Sequence, residues 1–254
     1  MTSWLDTEFA GQKMGDKRLD KRAKKIVESL SKDPLESIPN ATHAWEETLA
    51  AYRFFDNPKC TFETIMSGHK TATHKRILSE DVVLIPQDTT FLNFATDDKS
   101  KEMGTLRIKN SDQQLLHTSL AITPSRVNLG VVHGSMWQRD EQSTGSSRDT
   151  KKIADKESSR WLDHYKKACD IQAQKPESTI VSIADREGDI HEWFQLAEDT
   201  PEGSRAAYII RAKANRSLLV GDNERVPLWD HVQTLKSLEK YSVNVPKRNG
   251  EPVI

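Results

Sequence analysis

Thr179-Ile-Val-Ser-Ile-Ala-Asp-Arg-Glu-Gly-Asp-Ile-His-Glu-Trp-Phe194 is the stretch whose reading decides the fold. Thr179 to Ala184 is a short β-branched apolar run, the pattern of a buried strand, and it stops at the acidic Asp185. Gly188 suits a tight turn, and Asp189 is placed to cap a helix whose apolar face carries Ile190, Trp193, Phe194 and Ala197. Asp185 is thus expected at the C-terminal mouth of a strand, where the loops of an open α/β sheet diverge and leave a crevice for ligands. A single aspartate there reads first as a turn residue bonding a nearby backbone amide. A second carboxylate beside it changes that reading.

Working outward, composition sets the limits. With 254 residues, 35% hydrophobic and 30% charged, the chain can bury a large core and is expected to form one main domain with an accessory one. Cys60 and Cys169 stand alone, so neither a disulfide framework nor a zinc site is indicated, and a reducing cytoplasm fits. The start Met-Thr-Ser-Trp-Leu-Asp has no basic-then-apolar pattern, and no uncharged run reaches membrane-spanning length. The expectation is a soluble cytoplasmic protein with no membrane partner.

The N-terminal part reads as helical. Lys13, Lys17, Arg18, Lys21, Arg22, Lys24 and Lys25 face only Asp16 and Asp20 over a short stretch, while Leu19, Ala23, Ile26, Val27 and Leu30 form an apolar stripe at helical spacing. The cations on the outer face are either a solvated, salt-bridged surface or a phosphate-binding one. Pro34 and Pro39 bracket a loop, a second helix runs from Ala41 to Phe55, and a third from Thr61 to Lys75. Residues 1–78 are therefore expected to be a compact helical domain.

From Val82 the pattern changes to strands. Val82-Val-Leu-Ile85 is apolar and is followed closely by Asp88. Gln114–Ile122 and Val127–His133 read as strands joined by Thr-Pro-Ser-Arg, a turn suited to an antiparallel hairpin. The polar segment from Gln142 to Thr150 reads as a mobile loop, Lys156–Ile171 as a helix with Trp161, Leu162, Tyr165 and Ala168 on one face, and Ala206–Ile210 as a further strand. This order indicates a mixed α/β sheet. If the strands before Asp88 and Asp185 are neighbours, their carboxylates share a crevice, and their repulsion calls for a hard divalent cation such as Mg²⁺. Two such ions can drive an in-line phosphodiester displacement, a chemistry that normally needs a third carboxylate.

Other patterns are weaker. His191-Glu-Trp-Phe-Gln195 lacks the second histidine of a zinc-protease helix, and no Gly-rich phosphate loop occurs. His117 and His133 read as satisfied sheet histidines, and Trp45, Trp137, Trp161, Trp193 and Trp229 as packing residues, with Trp137 beside Arg139 a weaker candidate for DNA.

Pro86-Gln-Asp-Thr-Thr90, Asp185-Arg-Glu-Gly-Asp-Ile-His191, Lys156-Glu-Ser-Ser-Arg-Trp-Leu162, Gly15-Asp-Lys-Arg18 and Ala51-Tyr-Arg-Phe-Phe55 together resemble the IS4-type bacterial transposases, especially their Tn5-like group, in order along nearly the whole chain. The resemblance implies a helical DNA-binding domain and a ribonuclease-H-like core whose Asp, Asp and Glu bind Mg²⁺, with Mn²⁺ as a substitute. By motif position the two aspartates are Asp88 and Asp185. The DNA-binding candidates are Lys17, Arg18, Lys21 and Arg22 from the basic helix and Arg53; Leu19 replaces one arginine of the family's cluster. The implied partners are double-stranded DNA, as transposon ends and target, and a second copy in a homodimer on that DNA, in a nucleoid-associated setting.

The third carboxylate is where the chain departs. Tyr208-Ile-Ile-Arg211 copies half of the family's Glu-bearing motif, but Asn215 stands at the Glu position and the segment reads as a strand. Glu187, Glu192 and Glu198 read as helix-surface residues. Tyr241–Val245 alternates like a strand and Pro246–Gly250 like a turn, so the chain is expected to end inside a β-rich insertion. The expected layout is 1–78 helical, 79–215 an incomplete core, and 216–254 the start of the insertion. Two functions follow: a metal-dependent transposase that cleaves and transfers DNA strands, or a truncated DNA-binding remnant or inhibitor without chemistry.

Overall fold

The computed structural model describes residues 3–93, 113–137, 159–221, 224–240 and 242. The expected loop at Gln142–Thr150, the start of the Lys156 helix, Arg139, the Tyr241–Val245 strand (Ser242 apart) and the Pro246–Gly250 turn lie outside these residues. The chain divides into two compact units, Met1–Arg211 and Ala212–Ile254.

The first unit begins with α1 (Trp4–Glu8), α2 (Lys17–Lys32), α3 (Ile38–Thr42), α4 (Trp45–Phe55) and α5 (Phe62–Ile77). Asp16 starts α2 by accepting the Arg18 amide, satisfying one of the donors that a helix N-terminus leaves open. Ala23 and Ile26 on its buried stripe meet Met14, Ala51 and Phe54, which is the small core of the helical segment. The single helix expected over Ala41–Phe55 is two. His43 adopts a left-handed φ of 56° and ends α3, and Pro39 lies inside that first helix, where a missing amide hydrogen costs nothing.

The helices are tied to the sheet by Glu8. Its carboxylate accepts from Arg76 Nη1 at 2.6 Å and contacts His69 Nδ1 at 2.7 Å, while Arg76 Nε donates to the Leu129 carbonyl at 2.7 Å and the Val131 amide donates to His69 Nε2 at 2.9 Å. Burial works against the Glu8 charge, but the hydrogen bonds from Arg76 and His69 outweigh it and hold its carboxyl below the usual glutamate range.

The sheet contains β1 (Val82–Asn93), β2 (Gln113–Ile122), β3 (Asn128–Trp137), β4 (Thr179–Ala184) and β5 (Ala207–Ile210), in the spatial order β3-β2-β1-β4-β5. The first three form an antiparallel meander, and β1–β4 and β4–β5 are parallel. The Thr123–Arg126 hairpin turn is as expected, with Arg126 at φ 69°. Helix α6 (Ser159–Gln174) crosses from the meander to β4 and packs on one face of the sheet. It is joined there by α7 (His191–Asp199), and Val83, Ile85, Ile180, Ala184, Trp161, Tyr165 and Trp193 form the main core. On the opposite face, Leu84, Val181 and Ile183 are only half-buried.

The second unit holds a hairpin of β6 (Ser217–Val220) and β7 (Glu224–Pro227), followed by α8 (Leu228–Thr234). Trp161 and Trp193 are buried as expected, whereas Trp45 is 73% exposed and is no packing residue.

Gly188 differs from expectation in its reason. A Cβ there would lie 2.6 Å from the Ala184 Cβ and 3.4 Å from both Trp161 and Trp193, so close packing against the strand end requires glycine. Gly188→Ala is expected to destabilise the protein by roughly 1–3 kcal/mol through overpacking, measured as a lowered urea midpoint with an unchanged slope.

Candidate nucleic-acid interface and acidic strand ends

Asp88 is not at the end of a strand, as the sequence suggested, but inside β1, where it is opposite Thr118 of β2. The parallel pairing of β1 with β4, however, ends at Pro86–Ile183. Continuing that register two residues further sets Asp88 opposite Asp185. Because side chains alternate along a strand, both belong to the face that carries Leu84, Pro86, Val181 and Ile183, opposite to α6 and α7. Both residues are exposed. Asp88 Oδ1 accepts the Thr89 amide and Asp185 Oδ1 accepts the Glu187 amide, each at 2.8 Å. Asp185 therefore does perform the local turn role, capping the 3-10 turn Arg186–Gly188, and the cap expected from Asp189 is not made: α7 starts after Ile190 without a side-chain cap.

The β4–β5 register adds a residue that the sequence did not single out for a role. Val181 pairs with Ala207 and Ala184 with Ile210, so Arg211 follows opposite Asp185, and its amide donates to the Ala184 carbonyl. Carried one or two residues past the last pairs, the registers thus set Thr118 and Asp88 in one row with Asp185 and Arg211, which follow directly on β4 and β5. Tyr208–Arg211 suggested only a false match in the sequence; strand pairing, invisible there, is what gives Arg211 its place. Among the described residues, no group of three or more His, Cys, Asp or Glu side chains is placed to hold a metal ion.

On the core face, below the row, a buried polar network locks the register. Gln87 Nε2 donates to Ser182 Oγ at 3.0 Å, bridging β1 to β4. Gln87 Oε1 is 3.0 Å from His117 Nε2, and His117 Nδ1 is 2.8 Å from Thr89 Oγ1. With its amide nitrogen committed to Ser182, Gln87 offers an oxygen, so His117 carries its proton on Nε2 and accepts from Thr89 on Nδ1. Burial keeps His117 neutral. His164 from α6 lies 4.4 Å from it, ring centre to ring centre, and bridges Ser119 and Ser135 of β2 and β3. Burial pushes His117 down to about 3 and His164 to about 2, with Arg160 adding to the first and the neighbouring imidazoles to the second.

In the helical segment, the basic helix divides by partner. Arg22 donates to Glu47 at 2.6 Å, Lys25 to the same carboxylate at 2.6 Å, and Lys24 pairs with Asp6. Arg18 is highly exposed and bonds only its own cap, Asp16, at 3.1 Å. Lys17, Lys21 and Arg53 are exposed and form no ion pair with the described residues. The basic run is therefore divided: its inner cations brace α2 on α4 and α1, and its outer ones face solvent. Trp45 and Tyr52 share the exposed side of α4 with Arg53.

Residues 1–60 match the family model described as transposase DNA-binding. The N-terminal helices thus carry a transposase DNA-binding domain. The match spans α1 to α4 and the turn that follows. No helix among the described residues is long and apolar enough to cross a membrane.

The two neutral histidines predict a pH dependence of stability. Their folded-state pKa values lie below the ordinary 6.5, so the unfolded chain takes up protons first as pH falls. Stability is expected to be level above about pH 7 and to fall below about 6.5, by about 1.4 kcal/mol per pH unit for each histidine. Urea titrations at pH 7.5, 6.0 and 5.0 check this, and His164→Gln should make the slope shallower whatever its effect on stability at pH 7.5.

Proposed function

We propose that this protein is a DNA-binding protein of the transposase kind, which grips the ends of a mobile element through its N-terminal helices and does not itself cut them. The observation that carries the reading is the match of residues 1–60 to the transposase DNA-binding family. Lys17, Arg18, Lys21 and Arg53 are the cations available to phosphates, and Arg22 acts mainly by bracing α2 through Glu47. Bound at such ends, the protein would occupy sites that a cleaving copy needs, and so act as an inhibitor.

A second reading, an IS4-type transposase with an Asp-Asp-Glu centre on a ribonuclease-H-like core, is favoured by one observation: the parallel β1–β4 register, carried two residues past its last pair, sets Asp88 opposite Asp185. The pair fits a hard cation, Mg²⁺ or Mn²⁺, held weakly because two carboxylates leave most of an octahedral shell to water. A cation there would supply the charge that turns water into a nucleophile. Asp88 and Asp185 would orient it, and Arg211 would meet the phosphate. Without a third carboxylate among the described residues, the set does not clamp both the attacking and the leaving oxygen. The homodimer and the target DNA belong to this second reading.

Gel-shift titrations of a duplex carrying the element's terminal sequence, across salt concentrations, test the first reading. Lys21→Ala with Arg53→Ala is expected to weaken binding and to lower the salt slope by about one unit for each phosphate that is no longer neutralised. Wild-type affinity and slope in that double variant would remove this surface from the DNA interface. The same duplex with Mg²⁺ or Mn²⁺ should show no nicking by residues 1–254. Metal-dependent nicking that disappears in Asp88→Asn or Asp185→Asn would establish the second reading instead.

A further inference from the structure

A crevice of about 370 Å³ lies between α5 and α6 over Val132 of β3, outside the matched DNA-binding residues. Lys70 and His74, one turn apart on α5, line it from one side and Lys167 of α6 from the other, over a floor of Ile77, Val132 and Ile171. We propose that this crevice binds a phosphate group carried on a nucleic-acid strand or on a free nucleotide.

The charges around the crevice are unevenly paired. Lys70 is half-buried and forms no ion pair or hydrogen bond with the described residues; the Phe62 ring, 5.7 Å away, is what its ammonium lies over. Lys167 Nζ shares its charge with Asp170 at 3.0 Å, which leaves further N–H donors on the ammonium. His74 is also half-buried, and its ring makes no hydrogen bond to the described residues. Burial lowers the Lys70 pKa; Glu63 opposes that, and Lys167 adds to it. His133 is likewise held down by burial and then by both lysines, against Asp163 and Glu63. Several basic groups therefore crowd one place, and of the carboxylates that face them Glu63 offsets the Lys70 charge only in part and none forms an ion pair with Lys70 among the described residues. An anion would relieve this repulsion.

The form of the crevice narrows the anion to a phosphate on an organic body. Lysines meet phosphate as point charges, and a histidine N–H adds a directed bond. The aliphatic floor would take a sugar or base edge, for which a bare inorganic ion has no use. The remaining polar lining is already engaged: Thr71 donates to the Ser67 carbonyl, Thr73 contacts His69 and Arg76, and Gln174 donates to the Asp170 carbonyl. The strand arm of this inference rests on the DNA-binding reading, and the nucleotide arm does not.

Two measurements on the full chain decide it. Deoxyadenosine monophosphate and inorganic phosphate are titrated while the Lys70 and His133 side chains are followed by NMR. Duplex binding across salt is compared between the wild type and Lys70→Gln with Lys167→Gln. A strand phosphate lowers the salt slope of the double variant by about one unit per lysine. A free nucleotide instead leaves the slope unchanged and gives saturable nucleotide shifts, stronger than those with phosphate alone and roughly tenfold weaker in affinity in Lys70→Gln. An unchanged slope together with no saturable shift overturns the inference. If the wild type binds no duplex at all, the proposed function fails, while the nucleotide titration still tests the crevice by itself.

Discussion

The parallel pairing of β1 with β4 is the constraint on which the rest of the first unit depends. Backbone hydrogen bonds alone would tolerate a slip of two residues, which preserves which face each side chain takes. The Gln87–Ser182 bond does not tolerate it, because a buried amide and a buried hydroxyl would both lose their partners. His117 and Thr89 extend the same lock to β2. Asp88 and Asp185 come to one row because the uncharged residues beneath them fit only one register.

That arrangement separates two tasks by face. The side of the sheet under α6 and α7 is a buried core with a polar seam, whose histidines burial keeps uncharged. The other side carries exposed carboxylates and Arg211 above half-buried apolar residues. Charged chemistry belongs on the second face, where the groups meet solvent and ligands, and the first face supplies rigidity.

The helical segment follows the same logic of shared roles. A basic amphipathic helix is bound to its neighbours by some of its own cations, so Arg22, Lys24 and Lys25 serve the fold, while Lys17 and Lys21 stay exposed. The Glu8 clamp on Arg76 and His69 then ties the first helix to α5 and the β3 edge of the sheet. Within that clamp lies one half-buried carboxylate with two partners, a geometry that is costly to break because either loss leaves a charge unanswered.

By itself the sequence determined most of the element types. The Thr179–Ala184 run is short, β-branched and cut off by Asp185, and its length and composition place it in a strand; the Thr123–Arg126 turn and the buried Trp161 and Trp193 were legible for similarly local reasons. Tertiary structure decided what depends on partners distant in the chain. It set Asp88 within β1 rather than at its end, since β2 prolongs a strand that β4 abandons. It gave Gly188 a packing reason besides its turn, broke the expected second helix at His43, and exposed Trp45. It also divided the basic run and raised Arg211 from a false motif to a neighbour of Asp185, because ion pairs and strand register join residues whose separation along the chain carries no signal of their contact.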